Sequence, residues 1–137
     1  MQCRIARLWT SADETIKTSA TKDDTMDIPQ ITSQSGASRG EMGQEYLATG
    51  KQVSLRRWVE NVCDFEPIHA RDYETVGYLV SGVLELELDG QTAKLSSGDS
   101  WLVPEGADHR YRVLEPVVVI EATAPPARFG NRDGAVA

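Results

Sequence analysis

Two histidines and one arginine are the residues of this sequence best suited to chemistry at a single site. His69 and Arg71 stand two apart in "HARDYETVGYLVSG", and His109 follows 40 residues after His69. A neutral imidazole ligates metals or moves a proton near neutral pH. A guanidinium does neither. It carries a permanent positive charge and pairs with carboxylates through two parallel hydrogen bonds. Residues two apart on a strand face the same side, so a cavity that takes His69 takes Arg71 as well. The set reads either as a metal site that has lost a ligand or as a pocket turned toward an anion. Two unrelated structural histidines are the plainer third reading.

Neighbouring residues extend both readings. Tyr111 shares strand parity with His109 and can line the same cavity, and Tyr73 is a further wall candidate. For a ligand pocket the candidates are Arg71, His69, His109, Tyr111 and Tyr73. For a metal they are His69 and His109. Glu74 and Thr75 follow in the next strand and face opposite sides. Gly77, two beyond Thr75, would leave free volume if Thr75 points inward, which favours Thr75 over Glu74 as the inward residue. Arg110 and Arg112 have the opposite parity and read as solvated or at a subunit contact.

The elements that must position these side chains are strands. "VLELELDG" alternates Leu84, Leu86 and Leu88 with Glu85 and Glu87, then closes on Asp89-Gly90, a tight hairpin signal. The glutamates read as a wet face. "KQVSLRRWVE", "ETVGYLVSG", "RYRVLE" and "PVVVIEAT" are β-rich, and turn residues separate them at short, regular intervals. This predicts an all-β sandwich or barrel over residues 44–126. Residues 1–43 lack a sustained period and read as an extended or disordered arm, with a short added strand expected around Ile28 to Ile31. Residues 127–137 read as a loose tail.

Residues 63–113 resemble the cupin superfamily. Gly98, Pro104-Glu105-Gly106 and His109 match the spacing of its second motif, with Val113 in place of the final Asn. The first motif is degraded. His69 and the closing Gly82 are present, but Cys63 replaces the opening Gly, Arg71 the second His, and Thr75 the Glu. The sequence also looks like the small sugar cupins related to pectin degradation. The resemblance implies a single-domain, RmlC-like jelly-roll barrel (a double-stranded β-helix) with a small-molecule ligand, and a homodimer. It also implies a divalent ion (Fe, Mn, Ni or Zn), of whose usual donors only His69, His109 and the out-of-register Glu74 remain. Three functions stay open: a module binding a small anionic or sugar-like ligand, a metal-dependent isomerase or dioxygenase, and a structural or regulatory interaction protein.

Composition narrows the partners. The chain has 137 residues and a net charge of -7, which argues against nucleic acid and anionic membranes. No apolar run is long enough to span a bilayer, and the N-terminus lacks the apolar core of a signal peptide. Cys3 and Cys63 make neither a disulfide framework nor a zinc motif, and read as reduced thiols of a cytoplasmic protein.

Overall fold

The alternation in "VLELELDG" decides how the longest hairpin faces. Leu84 and Leu86 are buried, and Leu88 packs against the same core. They belong to β4 (Glu74–Leu88), and Asp89 and Gly90 turn the chain at φ 50° and 83° into β5 (Gln91–Ser96). Positive φ at both central residues matches the turn to the twist of the flanking strands. The outward glutamates do more than meet water. Glu85 pairs with Arg112 at 2.6 Å and Glu87 with Arg110 at 2.9 Å, across the ladder to β7 (His109–Ala124). Both guanidiniums lie over the ring of Phe65, at 4.7 and 4.4 Å. The expected wet face is therefore a cross-strand row of ion pairs clipped by an aromatic ring.

The computed structural model describes residues 28–128. Among them every regular element is a strand apart from a 3-10 turn at Gln34–Gly36. The remaining strands are β1 (Ser38–Arg39), β2 (Glu45–Thr49), β3 (Ser54–Glu60) and β6 (Ser100–Val103). Pairing is antiparallel in the order β1-β2-β3-β7-β4-β5, with β6 on β4. The 15-residue β4 and 16-residue β7 pair along their whole length, with register shifts between Leu79 and Leu84. Bulges of this kind bend a strand so that it serves two faces. Gly82 sits in that bend at φ 96°, and a side chain there would collide with the Pro116 carbonyl. The result is the expected all-β, single-domain jelly-roll barrel.

Its core is a cluster that includes Leu79, Leu84, Leu86, Val113, Val117 and Val119. Trp58 and Tyr111 belong to this cluster and also wall a polar cavity. β3 shows why the cavity is polar. Ser54, Arg56, Trp58 and Glu60 point inward, while Leu55 and Val59 are exposed.

The arm and tail differ from expectation where they are described. The short edge strand lies at Ser38–Arg39, not at Ile28 to Ile31, and Ile31 is almost fully exposed. Residues 1–27 lie outside the described residues. So does the tail from 129 on, but its start is anchored: Ala127 is buried and its N–H donates to Thr123 Oγ1 at 2.9 Å. Cys63 is disulfide-bonded, which overturns the reading of reduced thiols. Cys3 lies outside the described residues.

Candidate functional site

The site is built by a loop that behaves as an extra strand. Between β3 and β4 the chain runs along the start of β7. The Cys63 and Val113 backbones bridge, Glu66 N–H donates to Tyr111 O at 3.3 Å, and His69 and His109 exchange both backbone bonds. Further on, Gly106 N–H donates to Arg71 O at 2.8 Å. This docking turns His69 and Arg71 to the same side, as their spacing predicts. Both line a cavity of about 480 Å³, counted with its open mouth, together with His109, Tyr111 and Thr75.

The imidazoles are fixed in one tautomer. His69 Nδ1 lies 3.1 Å from Pro67 O, and His109 Nδ1 lies 3.0 Å from Ala107 O. A carbonyl only accepts, so each Nδ1 carries the hydrogen and each Nε2 keeps a lone pair. Burial, then the Arg71 and His109 charges, push the His69 pKa down to about 3. Burial also lowers that of His109. Both rings are neutral at physiological pH, with acceptors at Nε2.

Sequence reasoning missed the carboxyl group of this cavity. Glu66 lies three residues before His69 and is 2% exposed. Its Oε2 accepts from Tyr111 N–H at 3.1 Å and stands 4.0 Å from His69 Nε2. Its Oε1 is buried without a hydrogen-bond partner among the described residues. Burial outweighs the Tyr111 hydrogen bond and the Arg71 charge, and drives the carboxyl pKa up to about 8. No period marks Glu66, and the first motif directs attention to carboxylates after the histidine, not before it.

A second carboxylate, Glu121, is committed elsewhere. Arg56 Nε binds its Oε1 at 2.7 Å, and Tyr111 Oη donates to its Oε2 at 3.3 Å. Trp101 Nε1 donates to Tyr111 Oη at 3.2 Å. This buried network fixes one wall. Arg56 and Glu121 face each other in the β3–β7 register, a pairing of opposite charges that the sequence carried.

Other expectations need correction. Glu74 is exposed on the outer face of β4 and does not line the cavity, so the register shift that would make it a ligand does not occur. Thr75 is the inward residue. The free volume expected over Gly77 is absent, because the Trp101 indole occupies the space where a side chain at Gly77 would stand. Tyr73 is buried outside the cavity, with the Arg56 guanidinium 5.5 Å from its ring centroid.

The comparisons with known proteins bear on the family and the fold. The cupin domain model matches residues 63–123, the span that carries the loop, β4 to β6 and nearly all of β7. The matched span is a cupin domain, and the barrel has the cupin fold. Among solved structures, the chain is similar to an RmlC-like cupin from Shewanella frigidimarina, with a TM-score of 0.56 and 23% identity. That likeness covers 60% of this chain and 74% of the other. It is similar to KdgF from Halomonas sp. at a TM-score of 0.56 and 26% identity, covering 60% and 78%. EutQ from Clostridium difficile gives 0.55 and 20%, covering 61% and 62%. No curated protein matches the sequence significantly.

Many cupins hold a divalent ion. Two imidazole Nε2 atoms face the cavity and Glu66 Oε2 stands 4.0 Å from that of His69, but burial keeps the Glu66 carboxyl protonated up to about pH 8, Glu74 faces away and Thr75 is a poor donor. Among the described residues no group of three His, Cys, Asp or Glu is placed to hold an ion. Arg71 adds a permanent positive charge to the same walls, while that of Arg56 is matched by Glu121. These residues do not fit a resident metal.

Proposed function

We propose that this cupin binds a small anionic or sugar-like molecule in its barrel, held by Arg71, His69 and His109. The observation that supports the reading is their convergence on one cavity, with a buried guanidinium where the family pattern has a metal-binding histidine. A buried cation favours an anionic partner, and a guanidinium's fork matches a carboxylate. The isomerase or dioxygenase alternative needs an ion that the donor set does not fit. Calorimetric titration with D-gluconate, D-glucuronate and L-tartrate tests the reading, with Arg71→Ala as control. Binding by the wild type and a loss of about tenfold or more in the variant support it. Unchanged affinity in Arg71→Ala removes Arg71 from the site.

We also propose that the chain pairs with a second copy through the outer face of β3, β7, β4 and β6. Leu55, Ala122, Val76 and Leu102 follow one another across that face in register. Leu55, Val59, Val76, Tyr78 and Leu102 are 38–50% exposed. A contiguous apolar sheet face suits a self-complementary interface. A monomeric mass by light scattering would refute it.

A further inference from the structure

Glu66 lines the cavity, and its Oε1 is buried with no hydrogen-bond partner among the described residues, although the other oxygen of the same carboxyl accepts from Tyr111 N–H. A buried polar atom left without a partner is costly, so such an atom in a residue that lines a cavity points to a missing partner. We propose that Glu66 is a ligand-recognition residue that acts as a carboxylic acid, donating from Oε1 to an acceptor oxygen of a bound hydroxy-carboxylate. This rests on the anion-binding reading above and adds the group that reads the anion's second oxygen.

The surroundings set the direction of this bond. Among the described residues, seven charged or titratable groups face Glu66. His69 and Arg71 share its loop, His109, Tyr111 and Glu121 come from β7, and Arg56 and Glu60 from β3. Burial and the Glu121 and Glu60 charges oppose ionisation of Glu66, and together they outweigh the Tyr111 hydrogen bond and Arg71. An anion entering beside it would oppose ionisation further. The acid form therefore presents a donor toward the ligand, as Arg71 does. The two imidazoles present acceptors at Nε2, with ring centroids 4.5 Å apart. Two donors and two adjacent acceptors call for a ligand with a carboxylate and neighbouring hydroxyl groups. A plain carboxylate leaves the imidazole acceptors unused, and a neutral polyol offers the Arg71 guanidinium no carboxylate.

Glutamine separates the donor role from its alternatives. In Glu66→Gln the Tyr111 N–H needs an acceptor, so the amide oxygen takes the Oε2 position and the NH₂ points into the cavity. The variant then mimics the acid and cannot mimic the carboxylate. The test is titration at about pH 7 with D-gluconate, against propionate as plain carboxylate and D-glucitol as neutral polyol. Wild type should bind gluconate at least about tenfold more tightly than either control, and Glu66→Gln should stay within about threefold of wild type. Glu66→Leu should lose about tenfold. Between about pH 7 and pH 9 the wild-type affinity should fall several-fold and that of Glu66→Gln should not, since the imidazoles are already neutral and Tyr111 titrates well above 10. This last comparison decides the matter even where the leucine variant fails to fold. A glutamine variant that loses binding at pH 7, or that shares the wild-type pH profile, overturns the donor role and leaves the Arg71 reading standing. Wild type that binds no anion overturns both.

Discussion

The rings of His69 and His109 meet edge to face, with centroids 4.5 Å apart and planes at 64°, across the backbone bridge that joins the two residues. One geometry does two things. The bridge brings a loop residue and the first residue of β7 into one wall, and it forces both side chains into the same low-dielectric space. Neither can take a proton there without facing the other and Arg71.

That arrangement makes the fold sensitive to acid. His69 titrates near 6.5 when unfolded and about 3 when folded, so the unfolded chain binds the proton first as pH drops. Stability from this group is complete above 6.5 and is lost as pH falls toward 3, by up to about 1.4 kcal/mol per pH unit. His109 acts in the same direction. His69→Gln should therefore lose less stability than wild type between about pH 6 and pH 4, read from urea midpoints. Parallel curves for the two proteins would contradict the burial argument.

Glu66 acts at the other end. Its carboxyl goes from 4.5 unfolded to about 8 folded, so the native state keeps a proton that the unfolded state releases. Its stabilising effect is complete below 4.5 and is lost as pH rises through about 8. Glu66→Gln keeps an acceptor for Tyr111 N–H and removes the titration. It should be more stable than wild type at pH 8 by about 2 kcal/mol, and nearly equal near pH 4.5. Denaturant unfolding at the two pH values checks this. A glutamine variant less stable at both would mean that the carboxylate itself is needed.

The legibility of the sequence followed the local physics. The Asp89-Gly90 turn and the Leu84/Leu86 alternation were plain, because turn φ and strand period are set within a few residues. The shared orientation of His69 and Arg71 was also plain, since parity is local. Glu66 was not, because a loop that docks on a distant strand by backbone bonds carries no period of its own. The inward face of β3 was misleading in another way: Arg56 and Glu60 face the interior while Leu55 and Val59 face out. That inversion is what a polar cavity and an apolar outer face look like in sequence.

Gly77 is held to its size by packing. A Cβ there would collide with the Trp101 indole, whose Nε1 holds Tyr111 Oη. Gly77→Ala forces the indole aside in a dense core, which typically costs about 1–3 kcal/mol. The thermal midpoint should fall, and tryptophan fluorescence should shift as the bond to Tyr111 is disturbed. An unchanged midpoint would mean that the ring has room to move.

Arg71 occupies the place where a third imidazole would complete a metal site. With arginine there, an ion meets two Nε2 donors, a buried Glu66 carboxyl that holds its proton and a fixed positive charge, so wild type soaked with excess Zn, Fe, Mn or Ni and then desalted should retain less than about one-tenth of an equivalent. Arg71→His removes the charge and places a third nitrogen donor on the same face. With Glu66 Oε2 4.0 Å from His69 Nε2, a carboxylate is near enough to complete a tetrahedral set after small side-chain movement. That variant should retain at least about half an equivalent of Zn, the ion most tolerant of such a ligand set, and should lose affinity for gluconate. Elemental analysis and calorimetry of the same two samples read both changes. Stoichiometric metal in wild type would show that the guanidinium does not keep the ion out, and that the cavity's charge was assigned to the wrong partner.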